Sequence, residues 1–244
     1  MNRKITIILI LILFISYIYF ITTKCTHTKI YELNSNLEGP TILIVAGTHG
    51  NEPAASYYFT NLVKSNFKIN RGKLIIIPRV NDCALKINLR LIPLIGDINR
   101  KYYPLPNNTI NDKINQINIQ IMNQIKNNKI DFFLDFHEGY DFHKINEKSL
   151  GSTITYTSDK TGLSKKIGES IVNKLNNTIY DDRKKFTLLS YDYKPIKGTL
   201  SEYLSSLNIS GILIETSGQN NIQPLEKRLE QIDLIFKNIL TLIK

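Results

Sequence analysis

His49 and Glu52, an imidazole and a carboxylate three positions apart, are the first residues in this chain whose types and spacing fit metal chemistry. A tight loop or a single helical turn would aim both at a common centre. Two such groups make an incomplete zinc site, because catalytic zinc takes three protein ligands and keeps a position for water. His137, at the end of D-F-H, is the candidate third. Alternate side chains of a strand share a face, so Asp135 points the same way as His137 and is placed to orient a metal-bound imidazole. Glu138 is a rival ligand whose side chain should face away from His137.

Other charged positions stand where a reaction would use them. Asp97-Ile98-Asn99-Arg100 lies in a stretch, Arg79 to Tyr103, that shows no clean period and reads as a long loop. Arg100 presents a planar fork suited to a carboxylate or a developing oxyanion, Asn99 adds a hydrogen-bonding amide, and Arg90 is a second cation. Glu215 closes an apolar run, where a carboxylate is costly to bury without a partner. It fits a general base that takes a proton from water and returns it to a leaving amine.

These side chains need elements to hold them. Thr41 to Val45 is an apolar, β-branched run with the length of a buried strand. Gly47 permits the turn that follows, and Pro53 suits the start of a helix through Tyr57, Tyr58, Phe59 and Leu62. Lys73 to Pro78, Asp131 to His137, Ser152 to Thr157 and Gly211 to Glu215 read as further strands, with an edge strand near Lys29 to Leu33. Isoleucines at 110, 114, 117, 121 and 125 mark a helix, as do Leu163, Ile167, Ile171 and Leu175. Leu200 to Leu207 fits a short helix, and Pro224 onward a closing one with Leu225, Leu229, Ile232 and Ile239 inward. Asp181 to Lys197 reads as a loop. The alternation predicts βαβ units and a single α/β domain.

Hydrophobic content of 42% and charged content of 21% are those of a globular protein, and the net charge is +10. A basic surface favours anionic substrates, polymers or lipids; no nucleic-acid motif accompanies the charge, so nucleic acid is not an expected partner. Cys25 and Cys83 fit neither a disulfide framework nor a zinc ribbon, and a single bridge between them stays open. Arg3 and Lys4 precede an uncharged run, residues 5–23, that as a helix would span about 28 Å, close to the roughly 30 Å of membrane hydrocarbon. No small-residue cleavage site follows, so a signal-anchor is expected in preference to a segment cleaved on secretion, with the basic end cytoplasmic and the domain outside. The expected organisation is an anchor over 1–24, a tether over 25–40 and a catalytic domain over 41–244.

The motifs G-T-H-G-N-E-P, G-D-I-N-R, D-F-H-E-G and I-L-I-E-T, in that order, resemble the zinc carboxypeptidase superfamily. They look most like its branch containing succinylglutamate desuccinylase and aspartoacylase, from about Thr41 to the C-terminus. The resemblance implies a three-layer α/β/α fold with a mixed central sheet, here preceded by a transmembrane helix. It implies one Zn2+ per chain held by His49, Glu52 and His137, with Glu215 as general acid/base. Asn99 and Arg100 would grip a substrate carboxylate, and Arg90 would polarise the scissile carbonyl. Tyr191 or Tyr193 would supply a mobile tyrosine. Aspartoacylase-like enzymes have a further substrate-binding arginine upstream of the catalytic glutamate; here that region reads G-T-L-S-E-Y-L, where Glu202 would suit a cationic group on the substrate. The expected function is a zinc hydrolase cleaving an amide bond in a small, carboxylate-bearing substrate, such as an extracytoplasmic or cell-wall peptide. The rivals are an N-acyl amino acid deacylase and a non-catalytic, membrane-tethered basic binding domain.

Overall fold

The structure, a computed structural model, describes residues 3–25, 27–91, 96–102, 113–193 and 195–241, leaving out the side chains of Ile18 and of residues 21–24 and 113–115. In chain order the elements are α1 (Arg3–Lys24), β1 (Tyr31–Asn34), β2 (Thr41–Ala46), α2 (Ala54–Lys64), β3 (Lys73–Ile77), α3 (Asp82–Ile87) and α4 (Lys113–Asn127). There follow β4 (Phe132–Gly139), β5 (Thr153–Tyr156), α5 (Leu163–Asn176), β6 (Thr187–Ser190), α6 (Leu200–Ser206), β7 (Ser210–Ser217) and α7 (Leu225–Leu240).

The strands form one sheet in the order β1-β3-β2-β4-β7-β5-β6. β2, β3, β4 and β7 run parallel, whereas β1 is antiparallel to β3 and β5 to β7, so the sheet is mixed. Central strands covered on both faces have no polar side, which is why T-I-L-I-V-A and K-L-I-I-I read as unbroken apolar runs. Ile42 and Ile44 face α2, α5 and α7, packing with Phe59, Ile171, Leu175, Ile235 and Phe236. Leu43 and Val45 face the opposite layer, with Ile121 of α4 and Leu200 and Leu204 of α6. The expected three-layer arrangement is therefore present. The isoleucine period in α4 begins in the description at Ile117, since Ile110 and the side chain of Ile114 lie outside the described residues.

Two expectations are corrected. The stretch read as a loop from Arg79 contains α3, a six-residue helix with Asn81 accepting from the Ala84 N–H at its start and Asn88 left-handed (φ 52°) at its end. It is too short to show a period and is specified by its caps alone. The stretch read as a loop from Asp181 contains β6, a four-residue edge strand parallel to β5. Pro93 lies outside the described residues.

Cys25 and Cys83 are bridged, which ties the end of α1 to α3. In α1 every described side chain from Ile7 to Tyr17 is exposed, and nearly all are apolar. Among the described residues no helix is long and apolar enough to cross a membrane.

Phe59 is fully buried where α2 meets the sheet and α7, with its ring centroid 5.1 Å from that of Phe136 and 5.6 Å from that of Phe236. Phe59→Ala should cost about 3–5 kcal/mol of stability, read as a lower urea midpoint with an unchanged slope.

Candidate metal centre

β2 ends at Ala46, and the chain turns through Gly47 (φ 73°) to bring His49 and Glu52 to the carboxyl edge of the sheet before α2 begins. Pro53 stands one place before the first helical residue. Gly50 fits only as glycine, because a Cβ there would overlap the Ala84 carbonyl of α3. The His49 turn is thus pressed against the helix that the disulfide holds. His137 arrives on β4 next to β2, level with Glu215 on β7.

The three candidate ligands converge. His49 Nδ1 lies 2.9 Å from Glu52 Oε1, His137 Nδ1 lies 2.8 Å from Glu52 Oε2, and the two Nδ1 atoms are 3.2 Å apart. All three side chains are buried. Each imidazole has its other nitrogen beside a carboxylate: His49 Nε2 is 3.2 Å from Asp97 Oδ1, and His137 Nε2 is 3.2 Å from Asp135 Oδ1. A proton on each Nε2 leaves both Nδ1 lone pairs and a carboxylate facing one another. Such a donor set is repulsive unless positive charge lies between its members, and it fits zinc in ligand type and number.

The surrounding residues fix Glu52. It accepts from Arg90 Nη1 (3.0 Å), from Gln219 Nε2 (3.0 Å) and from the Glu138 N–H (3.3 Å). Glu138, the rival ligand, points elsewhere: its carboxylate accepts from the Ala54 N–H at the start of α2 (2.7 Å) and pairs with Arg228 of α7. Both partners of that ion pair are buried, and Gly218 leaves the space, since a Cβ there would overlap Glu138 Oε2. Gln219 and Arg228 were not foreseen; a polar residue at an inward position of an amphipathic helix, as at 228, is the signal that sequence offers. Asp97 was read only as part of the motif with Asn99 and Arg100, and its place beside His49 depends on the fold.

Asn99 Oδ1 accepts from the Leu200 N–H (3.0 Å), and its Nδ2 is 3.4 Å from His137 Nε2. Arg90 also reaches Asp97 Oδ2 at 3.3 Å, and Arg100 lies 3.8 Å from the same atom. Ser201 Oγ donates to Asp135 Oδ2 (3.2 Å). Glu202 is not placed to meet substrate: it accepts from the Gly198 N–H, while Thr199 accepts from the Glu202 N–H, a reciprocal cap on α6. A cavity of about 190 Å³ joins the triad to Arg90, Asn99, Arg100 and Glu215, with Tyr191 and Tyr193 both on its wall. The Tyr191 hydroxyl is engaged with the Ile196 carbonyl and Thr199.

Burial opposes ionisation of Glu52, yet His49 and His137 hold its carboxyl well below the usual range. Burial pulls His137 down, but Asp135 and Glu52 outweigh it and raise it well above an ordinary imidazole. Burial lifts Glu215 to about 8, partly opposed by His137.

A family model described as the succinylglutamate desuccinylase/aspartoacylase catalytic domain matches residues 38–243. Comparison with curated proteins returns no match. Among solved structures, the tripeptide-bound cell shape determinant Csd4 of Helicobacter pylori superposes with a TM-score of 0.73 at 20% identity, over 89% of this chain and 55% of that one. The mDAP-bound form of the same protein, described as a D,L-carboxypeptidase, gives 0.72 at 21% over 87% and 54%. An aspartoacylase family protein of Mesorhizobium loti gives 0.58 at 21% over 89% and 62%. The chain thus spans little more than half the length of these neighbours.

The Glu215 shift has a sign that can be checked in chelator-treated protein. A carboxyl at about 8 when folded and 4.5 when unfolded binds more protons in the folded state between those values, so stability falls as pH rises across that window. His137 adds a fall in the same direction above 6.5. Thermal unfolding of Glu215→Gln should lose the decline between pH 4.5 and 6.5 and keep the His137 part; an unaltered profile would contradict the assignment.

Proposed function

This chain belongs to the succinylglutamate desuccinylase/aspartoacylase catalytic-domain family, and on that premise we propose that it is a zinc-dependent hydrolase of an amide bond in a small peptide with a free carboxylate. The observation that carries the reading is the meeting of His49, Glu52 and His137, each imidazole backed by its own carboxylate. Zinc held there would supply Lewis-acid polarisation of a carbonyl and activation of water at neutral pH. Glu215, raised by burial and drawn down by positive charge in the triad, is suited to take the proton of the attacking water and pass it to the leaving amine nitrogen. Arg90, on the cavity wall, is placed to donate to the carbonyl oxygen as negative charge develops. Asn99 and Arg100 would hold the substrate carboxylate, with the Asn99 carbonyl already taken by Leu200 so that its amide donors face the site.

A peptide is favoured over an N-acyl amino acid by the tripeptide- and mDAP-bound neighbours, which superpose more closely than the aspartoacylase family protein. Hydrolysis of a panel of small peptides and N-acyl amino acids, with and without chelator, tests both. Peptide cleavage should vanish on chelation and return with zinc. Glu215→Gln should lower turnover by about 10²–10⁴-fold while retaining the metal. Cleavage indifferent to chelator, or full activity in that variant, would refute the mechanism.

We further propose that the uncharged run of residues 5–23, which the described side chains of α1 cover only in part, anchors the protein in a membrane with the catalytic domain on the extracytoplasmic side. Support comes from the mostly apolar side chains of Ile7 to Tyr17, exposed where no core covers them, and from Arg3 at the start of α1. The Cys25–Cys83 bridge fits an oxidising compartment. In intact cells, externally added protease should degrade the domain, and both cysteines should resist alkylation until reduced. A protected domain with free thiols would defeat this placement.

A further inference from the structure

We propose that Lys148 is a second carboxylate-binding residue, and that the substrate carries an acidic group on the acyl side of the scissile bond in addition to the carboxylate held by Asn99 and Arg100. The inference rests on the hydrolase reading above and deepens it. Lys148 lies in the connection between β4 and β5, which is organised around the buried Ser149. Ser149 Oγ accepts from the Asp141 N–H (2.9 Å) and the Gly151 N–H (3.2 Å) and donates to the Asp141 carbonyl (2.8 Å). The Ser149 carbonyl is 2.8 Å from His143 Nδ1, and the His143 N–H donates to the Gly151 carbonyl at 2.7 Å. Gly139 has no room for a Cβ against the Gly151 backbone, nor has Gly151 against the Asp141 carbonyl. A connection closed on itself in this way fixes the backbone from which its flanking side chains project, and both neighbours of Ser149, Lys148 and Leu150, line the cavity.

Charge matching separates Lys148 from the other cations there. Arg90 is held by Glu52 and Asp97, and Arg100 by Asp97. Lys148 has no carboxylate partner among the described residues, although it shares the cavity with Glu215. Its place on the wall differs too. Asn99 and Arg100 enter the cavity from a segment braced on α6, where the Leu200 N–H holds Asn99, whereas Lys148 enters it from the β4–β5 connection. A substrate whose scissile carbonyl sits at the triad, with one end at Arg100, extends its other end toward Lys148. A carboxylate there would complete the unmatched ammonium.

Two tripeptides identical except for Glu or Gln on the acyl side of the cleaved bond test this with the full-length protein. Exposed ion pairs of this kind contribute up to about 1 kcal/mol, so the native protein should prefer the Glu peptide by about fivefold in kcat/KM, chiefly through KM. Lys148→Gln should abolish the preference, Lys148→Glu reverse it, Lys148→Arg keep it, and added salt weaken it. Equal use of both peptides by the native protein, or a preference retained in Lys148→Gln, would overturn the proposal. Calorimetric binding of the same two peptides reads the discrimination without turnover. Preferential binding with no hydrolysis would therefore sink the hydrolase reading and leave Lys148 upheld, whereas equal binding would sink the Lys148 assignment.

Discussion

Three lone-pair-bearing groups held within 4.8 Å of one another, with two more carboxylates behind them, form an electrostatic arrangement that positive charge at its centre would stabilise. Glu52, Asp97 and Asp135 concentrate negative charge around two imidazoles, and burial alone would drive a proton onto Glu52. Instead His49 and His137 hold the Glu52 carboxyl well below the usual range, while Asp135 and Glu52 raise His137 well above an ordinary imidazole. A dication in the same place would satisfy the same carboxylates while releasing the imidazole protons that face it. The rest of the site is arranged to keep these groups from relaxing apart.

That restraint comes from the ends of the chain's own elements. Glu138, one residue beyond His137, anchors the start of α2 and the buried Arg228 of α7, while its N–H steadies Glu52. Removing one partner of such a pair leaves an uncompensated buried charge, at a cost of about 3–5 kcal/mol. The pair is therefore a poor source of stability but a firm determinant of position. On the other flank the disulfide fixes α3, against which the Gly50 turn lies with no space to move. The edge of the sheet that carries the triad is thus clamped from two directions by contacts that hold His49 and Glu52 in register with His137.

How much of this was legible depends on the range over which each feature is specified. His49, Glu52, His137 and Asp135 were readable because turn geometry and strand alternation act within a few residues, and the central strands were readable because burial on both faces leaves an apolar run. α3 and β6 escaped because six and four residues carry no period; one is set by its asparagine caps and the other by an edge partnership with β5. Arg228 was hidden for a different reason. It occupies an inward position on α7 where apolar periodicity names Leu225, Leu229 and Ile232, and Leu229 is in fact only partly buried while Arg228 is fully so. An arginine at an inward helical position signals a buried partner, but with that partner 90 positions away nothing local names it.

The segment that opens α6 has no room for the arginine that the family resemblance leads one to expect upstream of Glu215. Thr199, Leu200, Ser201 and Glu202 are all committed: Thr199 and Glu202 cap the helix reciprocally, the Leu200 N–H holds Asn99, and Ser201 holds Asp135. A long cationic side chain at 201 would displace the hydroxyl that steadies Asp135, and at 202 it would remove the carboxylate that satisfies the Gly198 N–H at the helix start. α6 thus serves as a brace joining the Asn99 segment to the end of β4. With that position spent on positioning, positive charge enters the cavity from other elements: Arg100 on one part of its wall, and Lys148 from the β4–β5 connection that Ser149 organises on another.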